Sequence, residues 1–137
     1  MIIKDRRGVD IIERLYPRFE KRIAFDINCE GINVGGFAGL IARRFWPELE
    51  LTDETKLGTV LTKESNHIDF FALCCYSIRN GWPPNQKEVI KQCFDLIPGD
   101  QPIAAVISPG SYLDRSRGDA YLILEGMQES KKKIILY

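Results

Sequence analysis

Arg22-Ile23-Ala24-Phe25-Asp26-Ile27-Asn28-Cys29-Glu30-Gly31-Ile32-Asn33-Val34-Gly35-Gly36-Phe37-Ala38-Gly39-Leu40-Ile41 is the stretch on which the fold turns. Ile23, Phe25 and Ile27 alternate as one face of a strand. Phe37, Leu40, Ile41 and Phe45 then recur at helical spacing as far as Trp46-Pro47. Between the two periodicities lies a loop rich in glycine. A helix start offers unpaired N–H groups and a partial positive charge, and glycine lets a ligand approach them, so the segment suits a phosphate or diphosphate. The same glycines also suit a tight turn with close helix-to-sheet contact. Their spacing is neither that of the dinucleotide fingerprint nor that of a Walker A loop.

Working outward, Ile2-Ile3 reads as a short strand, and residues 9–15 as a helical turn or two before Pro17. Residues 59–62 and 68–76 read as strands joined by the polar turn Glu64-Ser65-Asn66-His67, and the second is apolar enough to lie inside the sheet. Asn85 is placed to cap a helix and Glu88 to return the bond, as in a capping box. Val89, Ile90, Cys93, Phe94 and Ile97 give that helix one apolar face, and Pro98-Gly99 ends it. A buried strand over 102–107, a polar loop over 108–118, a helix over 120–127 with Tyr121, Leu124 and Met127 inward, and a last strand over 134–137 complete the chain. Strands alternating with helices predict an α/β fold, a three-layer α/β/α sandwich on a mixed, largely parallel central sheet. One domain over 1–137 is expected. Such sheets bind ligands at the carboxyl ends of their strands, where the glycine loop and the 108–118 loop both fall.

The second loop, Ser108-Pro109-Gly110-Ser111-Tyr112-Leu113-Asp114-Arg115-Ser116-Arg117-Gly118-Asp119, brings small residues, a carboxylate and two fixed cations together. Arg115 and Arg117 suit paired hydrogen bonds to phosphate, and Asp114 suits the orientation or deprotonation of a water. The alternative has Ser116 or Asp119 capping the next helix and both arginines in solvent. Trp82, beside two prolines, fits either stacking on a nucleobase or packing.

Composition narrows the field. The chain has 45% hydrophobic and 28% charged residues, and its 19 basic residues balance 19 acidic ones. That balance gives no electrostatic drive toward nucleic acid in bulk, so an anion must be held locally. No stretch approaches the roughly 20 apolar residues of a membrane span, and MIIKDRRGVD has charges where a signal peptide needs its apolar segment. A cytoplasmic monomer is expected. Cys29, Cys74, Cys75 and Cys93 read as reduced thiols rather than disulfides, with Cys74 and Cys75 on opposite faces of a strand, and none has the paired spacing of a zinc site. His67 reads as a surface turn residue. Neither a metal nor a cofactor is expected.

On these residues the chain resembles the macro domains. The run from Ile27 to Ala38, followed by Arg43-Arg44-Phe45-Trp46-Pro47-Glu48, is similar to their N-C-x-G-x-x-G-x-G-I-A … K-K-F-P segment. Gly110-Ser111-Tyr112-Leu113-Asp114-Arg115 is similar to the later G-C-G-L-D-R loop of the branch holding DarG-type antitoxins and terminal ADP-ribose glycohydrolase. Residues 76–84 take the place of that branch's substrate loop, with Trp82 where the antitoxins carry a tryptophan. The resemblance implies binding of ADP-ribose, or of an ADP-ribosylated protein or nucleic acid. It places Asn28 near the distal ribose and Val34, Gly35, Gly36 and Phe37 near the diphosphate and that ribose. Gly110, Ser111, Tyr112 and Leu113 would wrap the diphosphate from the other side, beside Arg115, and Asp10 would read the adenine amino group, with Asp5 the alternative. Asp114 matches the catalytic aspartate, which implies water-mediated hydrolysis, of a glycosidic linkage or of ADP-ribose 1″-phosphate. Two positions depart from the pattern. Gly35 stands where lysine-dependent hydrolases keep their nucleophile, which excludes Schiff-base chemistry there and leaves a non-catalytic binding module as the alternative. Val34 replaces the first loop glycine.

Overall fold

The computed structural model describes residues 2–5, 21–107 and 120–137, with side chains over 21–107 and 121–137. Six strands form one sheet: β1 (Ile2–Asp5), β2 (Arg22–Asn28), β3 (Val60–Ser65), β4 (Ile68–Tyr76), β5 (Ile103–Val106) and β6 (Ile134–Leu136). Their spatial order is β1-β6-β5-β2-β4-β3. Every neighbouring pair is parallel except β3 with β4. The mixed, largely parallel α/β sheet expected from the sequence is therefore present, and β4 is paired on both edges as its apolar run requires.

Alternation along the strands sorts the core into two halves. Ile23, Phe25 and Ile27 of β2, with Phe70, Ala72 and Cys74 of β4, face helix α1 (Gly36–Arg44), which contributes Ile41 and Ala42, and Phe45 beyond its end. Ala24 of β2, with Phe71, Leu73 and Cys75 of β4, faces α2 (Gln86–Leu96) and α3 (Ala120–Glu129). Among the described residues one helix lies on one face and two on the other, which makes three layers. Cys74 and Cys75 point to opposite faces, and burial pushes their thiols up, that of Cys74 to about 11. Cys93 is buried too, and its thiol is pushed up to about 12 by the same cause.

Two local expectations need correction. Asn85 precedes α2, but no side chain caps that helix, so the capping box with Glu88 does not form. In α3 the inward residues are Ile123 and Met127, with Leu124 alongside, while Tyr121 is 59% exposed. Its phenol favours water on the outer face. Of the two readings of Trp82 packing holds: it is half-buried and stacked on Tyr76, with ring centroids 5.5 Å apart, against the core. The expected turn over residues 9–15 lies outside the described residues. His67 does lie in an exposed two-residue hairpin turn, with φ of 52° at Asn66 and 64° at His67. Among the described residues no helix is long and apolar enough to cross a membrane.

Candidate ligand site at the strand ends

Each helix follows a strand of the parallel set and runs back along it, so the starts of α1, α2 and α3 gather at the carboxyl edge of the sheet. Because β3 is antiparallel to β4, the chain after α1 must return to this edge before β3 begins. It does so through the 3-10 turn Pro47–Leu49 and residues 50–56, which lie against the glycine loop. Ile32 bridges Leu51, the Thr52 amide donates to the Gly31 carbonyl at 2.8 Å, and the Asn33 amide donates to the Glu50 carbonyl at 2.9 Å.

The loop is held by its own buried amides. Asn28, 2% exposed, donates from Nδ2 to the Ile32 carbonyl at 2.5 Å and accepts from the Ile32 amide at 3.2 Å. Asn33, also buried, donates from Nδ2 to the Leu49 carbonyl at 3.0 Å. Buried amides that close rings with backbone in this way fix a loop that has no regular structure of its own. Gly31 has φ of 82°, and a Cβ there would collide with the Thr52 carbonyl, so the returning segment can pack only on glycine.

Beyond these anchors the loop turns outward. Ile32 and Val34 are about half exposed. Gly35 precedes α1 in extended conformation and Gly36 opens the helix at φ of 62°, a value that favours glycine. No side chain caps this start, and no acidic residue lies in its first turn. Phe37 tucks its ring edge-on against Phe25 at 5.9 Å, and Arg43 donates to the Val34 carbonyl at 3.2 Å. An uncapped helix start behind two glycines is an anion-binding arrangement.

Of the residues singled out from the sequence, Asn28, Val34, Gly35, Gly36 and Phe37 come together here. Asn28 spends both ends of its amide on Ile32, so in this structure it braces the loop. Asp10, Gly110, Ser111, Tyr112, Leu113, Asp114, Arg115 and Arg117 lie outside the described residues.

Sequence reasoning missed Glu30. Its carboxylate accepts from Ser77 Oγ at 2.5 Å, from the Ile78 amide at 2.9 Å and from the Arg79 amide at 3.5 Å, tying the glycine loop to the turn after β4. Burial pushes its carboxyl up, but the hydrogen bonds from Ser77, Ile78 and Arg79 outweigh that and hold it below the ordinary carboxylate range. Beside it, burial and the Glu30 charge raise the Cys29 thiol, which argues against a nucleophilic thiolate. The sequence did carry a signal for this contact: Glu30 is the one charged residue between Asn28 and Phe37.

No protein-family model matches the sequence, and no curated protein matches it. Solved structures do resemble it. The alphavirus P23pro-zbd structure superposes over 98% of this chain with a TM-score of 0.68 at 10% identity. This chain spans only 21% of that one. The macrodomain of Mycobacterium tuberculosis DarG superposes over 100% of this chain and 97% of its own, with a TM-score of 0.64 at 14% identity. The macrodomain of Thermus aquaticus DarG covers the same shares, with a TM-score of 0.60 at 12% identity. These superpositions show that the chain has the macrodomain fold.

Proposed function

We propose that the chain binds ADP-ribose, or an ADP-ribosylated group on protein or nucleic acid, with the diphosphate against the start of α1. The observation that carries this reading is that start itself, opened by Gly36 at φ of 62°, preceded by Gly35 and capped by no side chain. The likeness in fold to the DarG macrodomains supports the choice of ligand. The reading brings with it a monomer acting in the cytoplasm, without metal or cofactor. Calorimetric titration with ADP-ribose is expected to show binding, weakened about 100-fold, roughly 2.7 kcal/mol, by Gly36→Glu. Gly36→Ala shares the backbone strain and separates it from the added carboxylate. Absence of heat with ADP-ribose, ADP and AMP alike would sink the reading.

The same proposal gives the chemical step to Asp114. The carboxylate orients a water and takes its proton as the oxygen bonds to the ribose carbon and the bond to the acceptor breaks, the acceptor leaving with a proton; in ADP-ribose 1″-phosphate the oxygen bonds to phosphorus, the bond to the ribose oxygen breaks, and ADP-ribose leaves with a proton. Asp114→Ala is then expected to stop release of ADP-ribose while binding persists. Gly35 favours a second reading, a module that binds without hydrolysis, because no amine occupies the position where lysine-dependent relatives attack. Persistent binding with no release from ADP-ribosylated protein, ADP-ribosylated DNA or ADP-ribose 1″-phosphate selects that second reading.

A further inference from the structure

Among the described residues one buried side-chain oxygen has no hydrogen-bond partner, Oε1 of Gln86. Gln86 opens α2 and is 2% exposed, on the buried side of the helix with Val89, Ile90 and Cys93. A polar atom withdrawn from water without a partner works against folding, so its presence calls for a cause other than the fold. Its place in the molecule suggests one. Cys93 Sγ lies 3.9 Å from the Cys74 carbonyl oxygen, which sets the middle of α2 over β4. The helix runs back along β4, and the rise from Cys93 to Gln86 is about 10 Å, or about three residues of strand. Gln86 is thus level with the carboxyl end of β4, where Tyr76 pairs with Asn28 of β2.

Helical side chains lean toward the amino terminus, so that of Gln86 leans toward the start of its own helix. No side chain caps that start. The first intrahelical bond runs from the Val89 amide to the Asn85 carbonyl at 3.1 Å, and the amides of Gln86, Lys87 and Glu88 precede it. An unpartnered acceptor and backbone donors therefore meet in one place. Charge decides what fits there. The first turn of α1 has no acidic residue, whereas that of α2 has exposed Glu88, and Lys87 beside it is paired with Glu125 and Glu129 of α3. That disfavours an anion. A nucleobase needs a ring to stack on, and the rings of Tyr76 and Trp82 are stacked on each other and packed against the core. A hydroxyl, donor and acceptor at once, matches both sets of groups.

We infer that Gln86 binds the ribose beyond the diphosphate, its Oε1 accepting from a ribose hydroxyl that accepts in turn from the start of α2. This rests on the ADP-ribose reading, since that ribose is the neutral, hydroxyl-rich end of the ligand. The last torsion of a glutamine is soft, so the carboxamide turns to meet the hydroxyl at little cost. Gln86→Met keeps the length and helix propensity of the side chain and removes the unpartnered oxygen. Two readouts should then move in opposite directions. The melting temperature should rise by about 3 °C, because a buried polar atom without a partner is gone. Affinity for ADP-ribose should fall about tenfold in calorimetric titration, while affinity for ADP, which lacks that ribose, stays within about twofold. A melting temperature that stays or falls would mean that Oε1 has a partner within the fold, and would overturn the inference. Unchanged affinity for ADP-ribose, or an equal loss for ADP, would overturn it too while leaving ADP-ribose binding intact. Failure of the wild-type protein to bind ADP-ribose removes both readings together.

Discussion

At the amino ends of β2 and β4, Arg22 is 8% exposed and donates to the carbonyls of Pro98 and Gln101, with its guanidinium 5.3 Å from the centre of the Phe71 ring. At the carboxyl ends of the same strands, Asn28 and Asn33 brace a loop whose outer half presents glycine, exposed Val34 and an uncapped helix start. Among the described residues a cavity of about 720 Å³ lies at the amino end, lined by Arg22, Lys63, Asp69 and Asp100, and one of about 380 Å³ at the carboxyl end. Arg22 is already spent on two carbonyls and a ring, so it clamps β2 to the loop before β5. The carboxyl end keeps an uncapped helix start behind glycine. A cation spent on its own chain holds the fold, and a helix start left uncapped serves a ligand.

If that division is right, damage at the two ends must show in different measurements. Arg22→Met removes the donor from two carbonyls and is expected to destabilise the protein by about 2 kcal/mol, roughly 6–10 °C in melting temperature, by calorimetry. Its affinity for ADP-ribose should be unchanged within about twofold. A variant that melts normally but loses the ligand would break the contrast, since it would place function at the clamped end.

Most of the fold was legible because its elements declare themselves by period. The alternation of Ile23, Phe25 and Ile27 and the helical spacing of Val89, Ile90, Cys93 and Phe94 each report one buried face, and burial enforces the pattern. The errors fall where tertiary context decides. Tyr121 keeps to the helical spacing yet faces water, and Asn85 has the chemistry of a cap without the contact. The site was legible as a glycine loop but not as a mechanism of support. Glu30 finds Ser77 only because β2 and β4 are neighbours, and no local pattern in the sequence states that pairing. The antiparallel turn of β3, which sends residues 50–56 back to the site, is equally non-local.

Glu30 offers a smaller effect that sharpens the contrast, because it supports the open end without belonging to the ligand. Glu30→Ala frees the turn after β4 and is expected to cost about 1 kcal/mol of stability. Affinity for ADP-ribose should fall with it, and Glu30→Gln should restore part of both. The sign of the pH dependence follows from the lowered folded value. The contribution is fully present above the unfolded carboxyl value of about 4.3 and is lost as pH falls through the lower value in the folded protein. The stability difference between wild type and Glu30→Gln should therefore be flat from neutral pH to about 5 and shrink below about 4. A difference that changed instead near neutral pH would point to another group.

The smallest effect belongs to the amino end again, in the hairpin turn of Asn66 and His67. Both residues have positive φ, the pattern of a type I′ turn, for which Asn-Gly is the preferred pair. An L side chain in the left-handed region costs about 1–2 kcal/mol, and glycine gives back about 0.5–1 of that through the unfolded chain. His67→Gly is thus expected to stabilise by roughly 0.5 kcal/mol, about 2 °C in melting temperature. Since the turn joins β3 to β4 at the edge remote from the glycine loop, affinity for ADP-ribose should not move. A gain in stability accompanied by a change in affinity would mean that the β3–β4 hairpin transmits strain along β4 to Tyr76, and the two ends could no longer be treated as separate.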